Sequence, residues 1–254
     1  MLTEPQRDHF EIVLVSPRNP LNIGAAARAM ANFGFRRLTV VAPYEEHWRE
    51  AKSAIGASDL LQSAKRAEHL AEAIAECTLV VGTASTRKRK QEQPLVPLPE
   101  FASFLSRQFA AGGRIALVFG SEKRGLTRND LAHCHVLVEI PADARQPSMN
   151  LGQAVAVCLY EIAARFDESK PSDGNREKPF EAATPASTRD LELLADVVEE
   201  TMRAAKYSPT AMRNANRHDL DLLLRRLIFS GRDARRMLGF FRRILWRLTR
   251  QTRC

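Results

Sequence analysis

Residues 138–161 read VEIPADARQPSMNLGQAVAVCLYE, and this stretch decides the fold. An apolar run stops at Pro141, and a helix-like pattern starts after Pro147. Neither proline can donate a backbone hydrogen bond, so residues 141–147 are held out of both a strand ladder and a helix. The segment predicts strand, loop, helix, with Ser148 and Asn150 at the helix entrance. A side chain there ordinarily caps the helix, which accounts for one polar residue better than for two. The bare amides of a helix start also suit a polar or anionic ligand, which makes the loop a candidate cofactor floor.

Working back from this stretch, the same alternation repeats. HVLVEIP (135–141) is the strand that enters the loop, and RIALVFG (114–120) is another continuous apolar strand, leaving through SEKRGL. Gly120 and Gly125 have the spacing of a phosphate-binding P-loop, and Thr127 suits its last position, but Leu126 stands where the Lys is needed, so the P-loop reading is rejected. No GxGxxG turn follows any strand, which argues against a standard dinucleotide fold. CTLVVGT (77–83) is a strand followed by the polar loop ASTRKRKQEQPLVPLPE, with the basic run Arg87, Lys88, Arg89 and Lys90, and LPEFASFLSRQFAA (98–111) is a helix. Such a run is either a solvated surface or a nucleic-acid contact.

Nearer the N-terminus, FEIVLV (10–15) and RRLTVVAP (36–43) are strands. Between them lie the turn SPRNPLN and a helix, NIGAAARAMANFG, with Asn22 as its predicted N-cap and Gly34 as its stop. Arg28 falls in the second turn of that helix among small apolar residues, where a guanidinium needs a partner unless it faces solvent. Residues 45–76 predict a helical stretch. Strands that are apolar throughout rather than alternating have both faces covered, so the chain up to residue 166 predicts an α/β domain with a mostly parallel sheet. Ligands of such sheets bind beyond the strand carboxyl ends. The exits at residues 83–85, 120–125 and 141–150 are expected to converge.

The chain has 254 residues, 44% of them hydrophobic, enough for an ordinary core. Its formal charge of +8 is unevenly spread: residues 203–254 hold 14 Lys and Arg against 3 Asp and Glu, a net of +11, leaving −3 on residues 1–202. Residues 167–187, rich in Pro, Ser and charge, predict a linker, and residues 188–254 a small basic helical extension. In it, Thr188 is the expected cap. Leu220, Leu223, Leu224, Leu227, Phe240, Phe241, Ile244 and Leu245 are expected to pack together and leave the arginines outside. A basic tail of this kind suits a polyanion, nucleic acid rather than membrane, because no segment approaches a spanning length. The polar start MLTEPQRDHF and four cysteines without paired spacing fit a reducing cytoplasm. His133, Cys134 and His135 look like ligands, but a strand's alternate residues cannot close a zinc site alone, so core packing is the expectation.

Three segments, in this order, resemble the signature motifs of SpoU-type RNA 2′-O-methyltransferases of the SPOUT class: NIGAAARAM (22–30), LVFGSEKRGL (117–126) and IPADARQPSMNLGQAVAVCLYE (140–161). The opening VLVSPRNPLNIGAAARAMANFG is most similar to the TrmJ branch, tRNA methyltransferases acting on cytidine or uridine at the start of the anticodon loop. The resemblance covers about residues 9–166. Met149 stands where the family commonly has Leu, a nearly volume-conserving change.

The resemblance implies more than periodicity does. It implies a deep trefoil knot in the C-terminal part of the domain, a homodimer, and tRNA as partner. S-adenosylmethionine would lie against Thr83, Ala84, Ser85, Gly120, Ile140, Ser148, Met149 and Asn150. The matching functional residues are Asn22, Arg28, Glu122, Ser148 and Asn150. Glu122 is the only carboxylate within the matched motifs that suggests a base, or it holds Arg28 or an Asn in place. A guanidinium is too weak an acid to serve as a base, so Arg28 is read as a clamp on phosphate and developing alkoxide. An rRNA methyltransferase and a non-catalytic RNA-binding module of the same fold are the alternatives.

Overall fold

A computed structural model describes residues 2–84, 92–109, 112–143, 145–166, 184–207 and 209–251. In chain order the elements of the first part are α1 (Glu4–Arg7), β1 (Phe10–Val15), α2 (Pro20–Phe33), β2 (Leu38–Val41), α3 (Ser58–Ser63), β3 (Lys65–Ala67), α4 (Leu70–Ala73), β4 (Cys77–Thr83), β5 (Leu95–Pro97), α5 (Leu98–Phe109), β6 (Arg114–Phe119), α6 (Arg128–Ala132), β7 (Val136–Glu139) and α7 (Leu151–Arg165). The strands form one sheet in the order β3-β2-β1-β6-β4-β7-β5, and every pair is parallel.

Alternate residues of each strand serve opposite faces. Ile12, Leu14, Leu117, Phe119 and Val138 join the core with α2, α5 and α7, while Val13, Val15, Ala116, Val118 and Leu137 join the core on the other face with α4. Both faces are therefore dry, which is why these strands carry no polar alternation.

Several expectations need correction. Residues 45–76 are not one helical stretch: α3 and α4 are short, and β3 lies between them as an edge strand too polar to register as an apolar run. The loop after β4 contains β5, whose Pro97 is tolerated because β5 is the other edge of the sheet. Asn19, not Asn22, caps α2; its side chain accepts from the Leu21 N–H at 2.9 Å, and Pro20 occupies the first helical position, where a missing N–H is harmless.

The second part consists of α8 (Thr188–Ala204), α9 (Arg213–Arg226) and α10 (Gly231–Gln251). Leu194, Ala195, Val198 and Leu224 form its core, with Leu220, Met237 and Phe241 packed against them. Of the leucines and aromatics expected to pack, Leu223, Leu227 and Phe240 are exposed instead. Nor are all arginines outside. Arg225 is buried and donates to Glu192 at 2.8 Å, and Arg217 pairs with Glu192, Asp196, Glu199 and Asp221. The carboxylates of α8 draw these guanidinia inward, since a buried cation survives only with such partners.

Ser187 rather than Thr188 caps α8, accepting from the Asp190 N–H at 3.2 Å. Thr188 is fully buried and donates to the Cys77 carbonyl at 3.0 Å, while the Arg189 N–H donates to the Ala75 carbonyl at 3.0 Å. These bonds fasten the extension to the start of β4. Of the expected linker, residues 167–183 lie outside the described residues; Pro185 bridges to Ser230, and Ala186 is buried.

His133, Cys134 and His135 turn to separate partners. His133 Nδ1 meets Glu192 at 3.2 Å, Cys134 is buried with its sulfur 3.5 Å from the Asp130 carbonyl, and His135 Nδ1 accepts from the Val80 N–H at 3.1 Å. Burial, helped by nearby Arg225, pushes His135 down to about 3. For Glu192, burial acts to raise the pKa, but the hydrogen bond from His133 and the charge of Arg225 outweigh it and bring the group down to about 2.

Both shifts predict acid sensitivity. An unfolded His takes its proton near pH 6.5 while folded His135 stays neutral until about 3, so stability falls as pH drops below 6.5. Glu192 contributes stability above pH 4.5 that is lost as pH falls further towards about 2. Urea unfolding at stepped pH should show a slope beginning near 6.5, and His135→Gln should remove the part between 6.5 and 4.5. An unchanged profile in that variant would contradict the assignment.

Candidate active site

The strand order places the carboxyl ends of β6, β4 and β7 side by side, so their exits meet in one cleft of about 450 Å³. Its walls include Thr83, Ala84, Gly120, Glu122, Ile140, Ser148 and Met149. Of the other residues expected here, Asn150 caps α7 beside the cleft, Arg28 lies elsewhere, and Ser85 with Arg87, Lys88, Arg89 and Lys90 lies outside the described residues. Lys123 and Arg124 also line the cleft and were not anticipated; their only signal was the basic pair inside the β6 exit.

Gly120 is required by close approach. A Cβ there would overlap the backbone of Gly125 and Leu126, because the exit folds back on itself through the Gly125 N–H to Ser121 carbonyl bond of 2.8 Å. Gly125 completes the turn in the left-handed region at φ 65°. At the opposite wall, α7 packs against α2 so closely that a Cβ on Gly152 would lie 2.7 Å from Ala25 Cβ. That contact brings Asn22, one turn before Ala25, against Asn150.

The result is a directed relay. Asn150 Oδ1 accepts from the Gly152 and Gln153 N–H groups at 2.9 and 3.4 Å, satisfying two amides at the start of α7. Its Nδ2 donates to Asn22 Oδ1 at 2.8 Å, and Asn22 Nδ2 donates to Glu122 Oε1 at 2.9 Å. A carboxylate only accepts, so each amide has a single workable orientation. Glu122 also accepts from the Arg18 and Asn19 N–H groups at 2.9 and 3.1 Å, at the start of α2. Burial acts to raise its pKa, but these hydrogen bonds outweigh burial and hold the carboxyl below its usual value. Glu122 thus holds an Asn and, among the described residues, does not meet Arg28.

Arg28 is exposed and makes no hydrogen bond or ion pair with any described residue. Ser148 is likewise exposed, its hydroxyl unpaired among the described residues. Thr83 donates its hydroxyl to the Val118 carbonyl at 3.1 Å, which ties β4 to β6 at the cleft floor. Among the described residues, no group of three or more His, Cys, Asp or Glu side chains is placed to hold a metal ion.

Known proteins give this geometry its context. Residues 9–160 match the SpoU rRNA methylase family. The chain is 37% identical over 201 residues, 77% of its length and 77% of the relative's, to the tRNA (cytidine/uridine/adenosine-2′-O-)-methyltransferase TrmJ of Pseudomonas aeruginosa. It is 33% identical over 238 residues, 93% of its length and 90% of the relative's, to the tRNA (cytidine/uridine-2′-O-)-methyltransferase TrmJ of Sodalis glossinidius. Among solved structures, TrmJ from Z. mobilis superposes with a TM-score of 0.77 at 29% identity, covering 92% of this chain and 98% of that one.

The relay makes a graded prediction. Asn22→Ala leaves Asn150 Nδ2 without its acceptor and removes one of the two donors to Glu122 Oε1, and should cost about 0.5–1.5 kcal/mol in urea unfolding. Asn22→Asp should cost more at pH 7, because it sets a second carboxylate against Glu122. If the two variants were equally stable, the relay would not have the polarity assigned to it.

Proposed function

The chain belongs to the SpoU rRNA methylase family, and from that premise we propose that it methylates a ribose 2′-hydroxyl of tRNA, at a cytidine or uridine at the start of the anticodon loop. The observation that carries the reading is the relay-braced helix start facing a cleft large enough for a small cofactor, within the roughly 300–1,000 Å³ of such sites. The donor is S-adenosylmethionine, which when bound supplies a methyl group made electrophilic by its sulfonium. The cleft fits such a group: bare main chain at Gly120, apolar surface at Ile140, Met149 and Leu126, and a hydroxyl on Ser148 without a described partner. Thr83, Ala84, Ser85, Gly120, Ile140, Ser148, Met149 and Asn150 would hold it.

The protein's own contribution is positioning and charge. Asn150 keeps the first turn of α7 rigid, Asn22 holds Asn150, and Glu122 holds Asn22; alignment of this kind supplies a large part of a bimolecular rate. Arg28 binds phosphate and stabilises the alkoxide that develops on the 2′-oxygen, as a permanent cation rather than as a base. Arg28 stands six positions after Asn22, about 120° away around the helix axis and ~9 Å along it, so Arg28 lies off the relay face of its own chain.

A homodimer with shared sites resolves this: Arg28 of one protomer completes the site whose cofactor Asn150 of the other holds. Exposed Leu21, Val157 and Tyr160 on α2 and α7 support an interface there. The position of β7 between β4 and β5, both earlier in the chain, supports a trefoil knot in which the segment after β7 threads the preceding loop. Residues 1–166 form the methyltransferase domain, 167–187 the linker, and 188–254 the extension, whose part 203–254, with a net of +11, attracts the tRNA backbone.

Incubation with S-adenosylmethionine and tRNA transcripts, followed by nuclease digestion and mass spectrometry, tests the reading. One 2′-O-methyl at a pyrimidine opening the anticodon loop is expected; methylation of rRNA fragments alone, or of no RNA, would overturn it. Arg28→Ala should slow transfer about 10²- to 10³-fold. Mixed dimers of Arg28→Ala with Asn150→Ala should regain activity, since sharing collects both defects in one site. Inactive mixed dimers, with subunit exchange verified, would show that each chain uses its own Arg28.

A further inference from the structure

The exits of β2 and β1 stand on the same rim as the cleft, because β1 is the sheet neighbour of β6 and β2 the neighbour of β1. Both strands end abruptly in left-handed backbone at non-glycine residues, Ser16 with φ 48° and Ala42 with φ 42°. A Cβ disfavours this region, and it persists only where the surroundings fix it. They do so here: the Ser16 N–H donates to the Val41 carbonyl at 2.8 Å, and the Ala42 N–H to the Ala67 carbonyl at 2.9 Å. The two turns run the following residues side by side, and the Tyr44 N–H donates to the Pro17 carbonyl at 3.1 Å.

Two exposed side chains result. The Arg18 guanidinium carbon stands 5.0 Å from the centre of the Tyr44 ring, and Tyr44 is 69% exposed. Arg18 is fixed to the cleft itself, since its N–H donates to Glu122 at 2.9 Å. An aromatic ring this exposed contributes nothing to the core, yet its backbone follows a strained turn and is tied to Pro17, whose neighbour Arg18 bonds the carboxylate that organises the site. Rigid aromatic and cationic groups so placed match the two faces of a polynucleotide: bases stack on rings, and phosphates pair with guanidinium.

We infer that Arg18 and Tyr44 form a stacking platform for a nucleotide of the RNA strand beside the reacting ribose. The base lies on the open face of Tyr44, and Arg18 meets a flanking phosphate while stiffening the ring from its other side. This rests on the proposal that the cleft acts on RNA. The platform positions the strand; neither side chain touches the transferred methyl group. Stacking is tolerant of base identity, so the platform sets register along the strand rather than the choice of base.

The test uses the full-length protein as wild type, Tyr44→Ala, Tyr44→Phe and Arg18→Ala, with S-adenosylmethionine and a tRNA transcript. Tyr44→Ala should raise KM for tRNA about tenfold to a hundredfold with little change in kcat, while Tyr44→Phe, which keeps the ring, stays near wild type. Arg18→Ala should weaken binding and lower the log–log salt slope by about one. Cofactor affinity by calorimetry and molecular mass by light scattering should be unchanged in all three. A wild-type KM in Tyr44→Ala would overturn the inference. So would a loss accompanied by altered mass or cofactor affinity, which would assign the pair to a contact between copies or to the fold. Filter binding separates this inference from the proposed reaction: if the wild type bound tRNA without methylating it and Tyr44→Ala weakened binding, the platform would stand and the reaction would fall.

Discussion

The ionised carboxylate of Glu122 is the group on which the site depends. It joins its own β6 exit to two segments far from it in sequence: the start of α2, through the Arg18 and Asn19 amides and the Asn22 side chain, and, through Asn22, the Asn150 cap of α7. Placing the negative charge at the start of α2 is favourable in itself, because the helix presents its positive end there. Charge-assisted bonds to that carboxylate are stronger than neutral ones, and they polarise the two amides that follow. The same packing that lets Gly152 touch Ala25 makes the relay geometrically possible. Rigidity of the cleft floor is thus a property of helix packing and one ion, not of the loop alone.

The extension shows a different use of charge. Its composition suggests a uniformly basic surface, yet Arg217 and Arg225 are spent internally, locked to carboxylates of α8 and α9 and to His133. The cations left for a polyanion are those on outer faces, including Arg243 and Arg250, which flank the exposed Trp246 ring at 4.5 and 4.3 Å. A count of charges therefore overstates the field that RNA meets. It also misses that Arg225 reaches out of the extension to His133 at the end of α6.

Much of the sheet was legible because burial on both faces leaves continuous apolar runs, and β1, β2, β4, β6 and β7 all have them. The edge strands β3 and β5 have three residues each and little burial, so no periodic signal could mark them. Asn22 was recognised as important through its motif and misread as a cap, because a helix start at Pro20 is indicated only weakly by the turn SPRNPLN. Its actual partners, Glu122 and Asn150, lie 100 and 128 residues away, a separation that local reasoning does not reach. Tyr44 gave no signal at all, since a lone tyrosine in a turn is unremarkable until its neighbours across the sheet are known.

The central claim is that Glu122, Asn22 and Asn150 act as one unit that prepares the cleft for its cofactor. A double-mutant cycle on S-adenosylmethionine affinity, read by calorimetry for Glu122→Gln, Asn150→Ala and the double variant, tests it most directly. Acting as a unit, each single change should weaken binding by about 1–3 kcal/mol, and the double change should cost no more than the larger of the two. Simple additivity of the two losses would contradict the account.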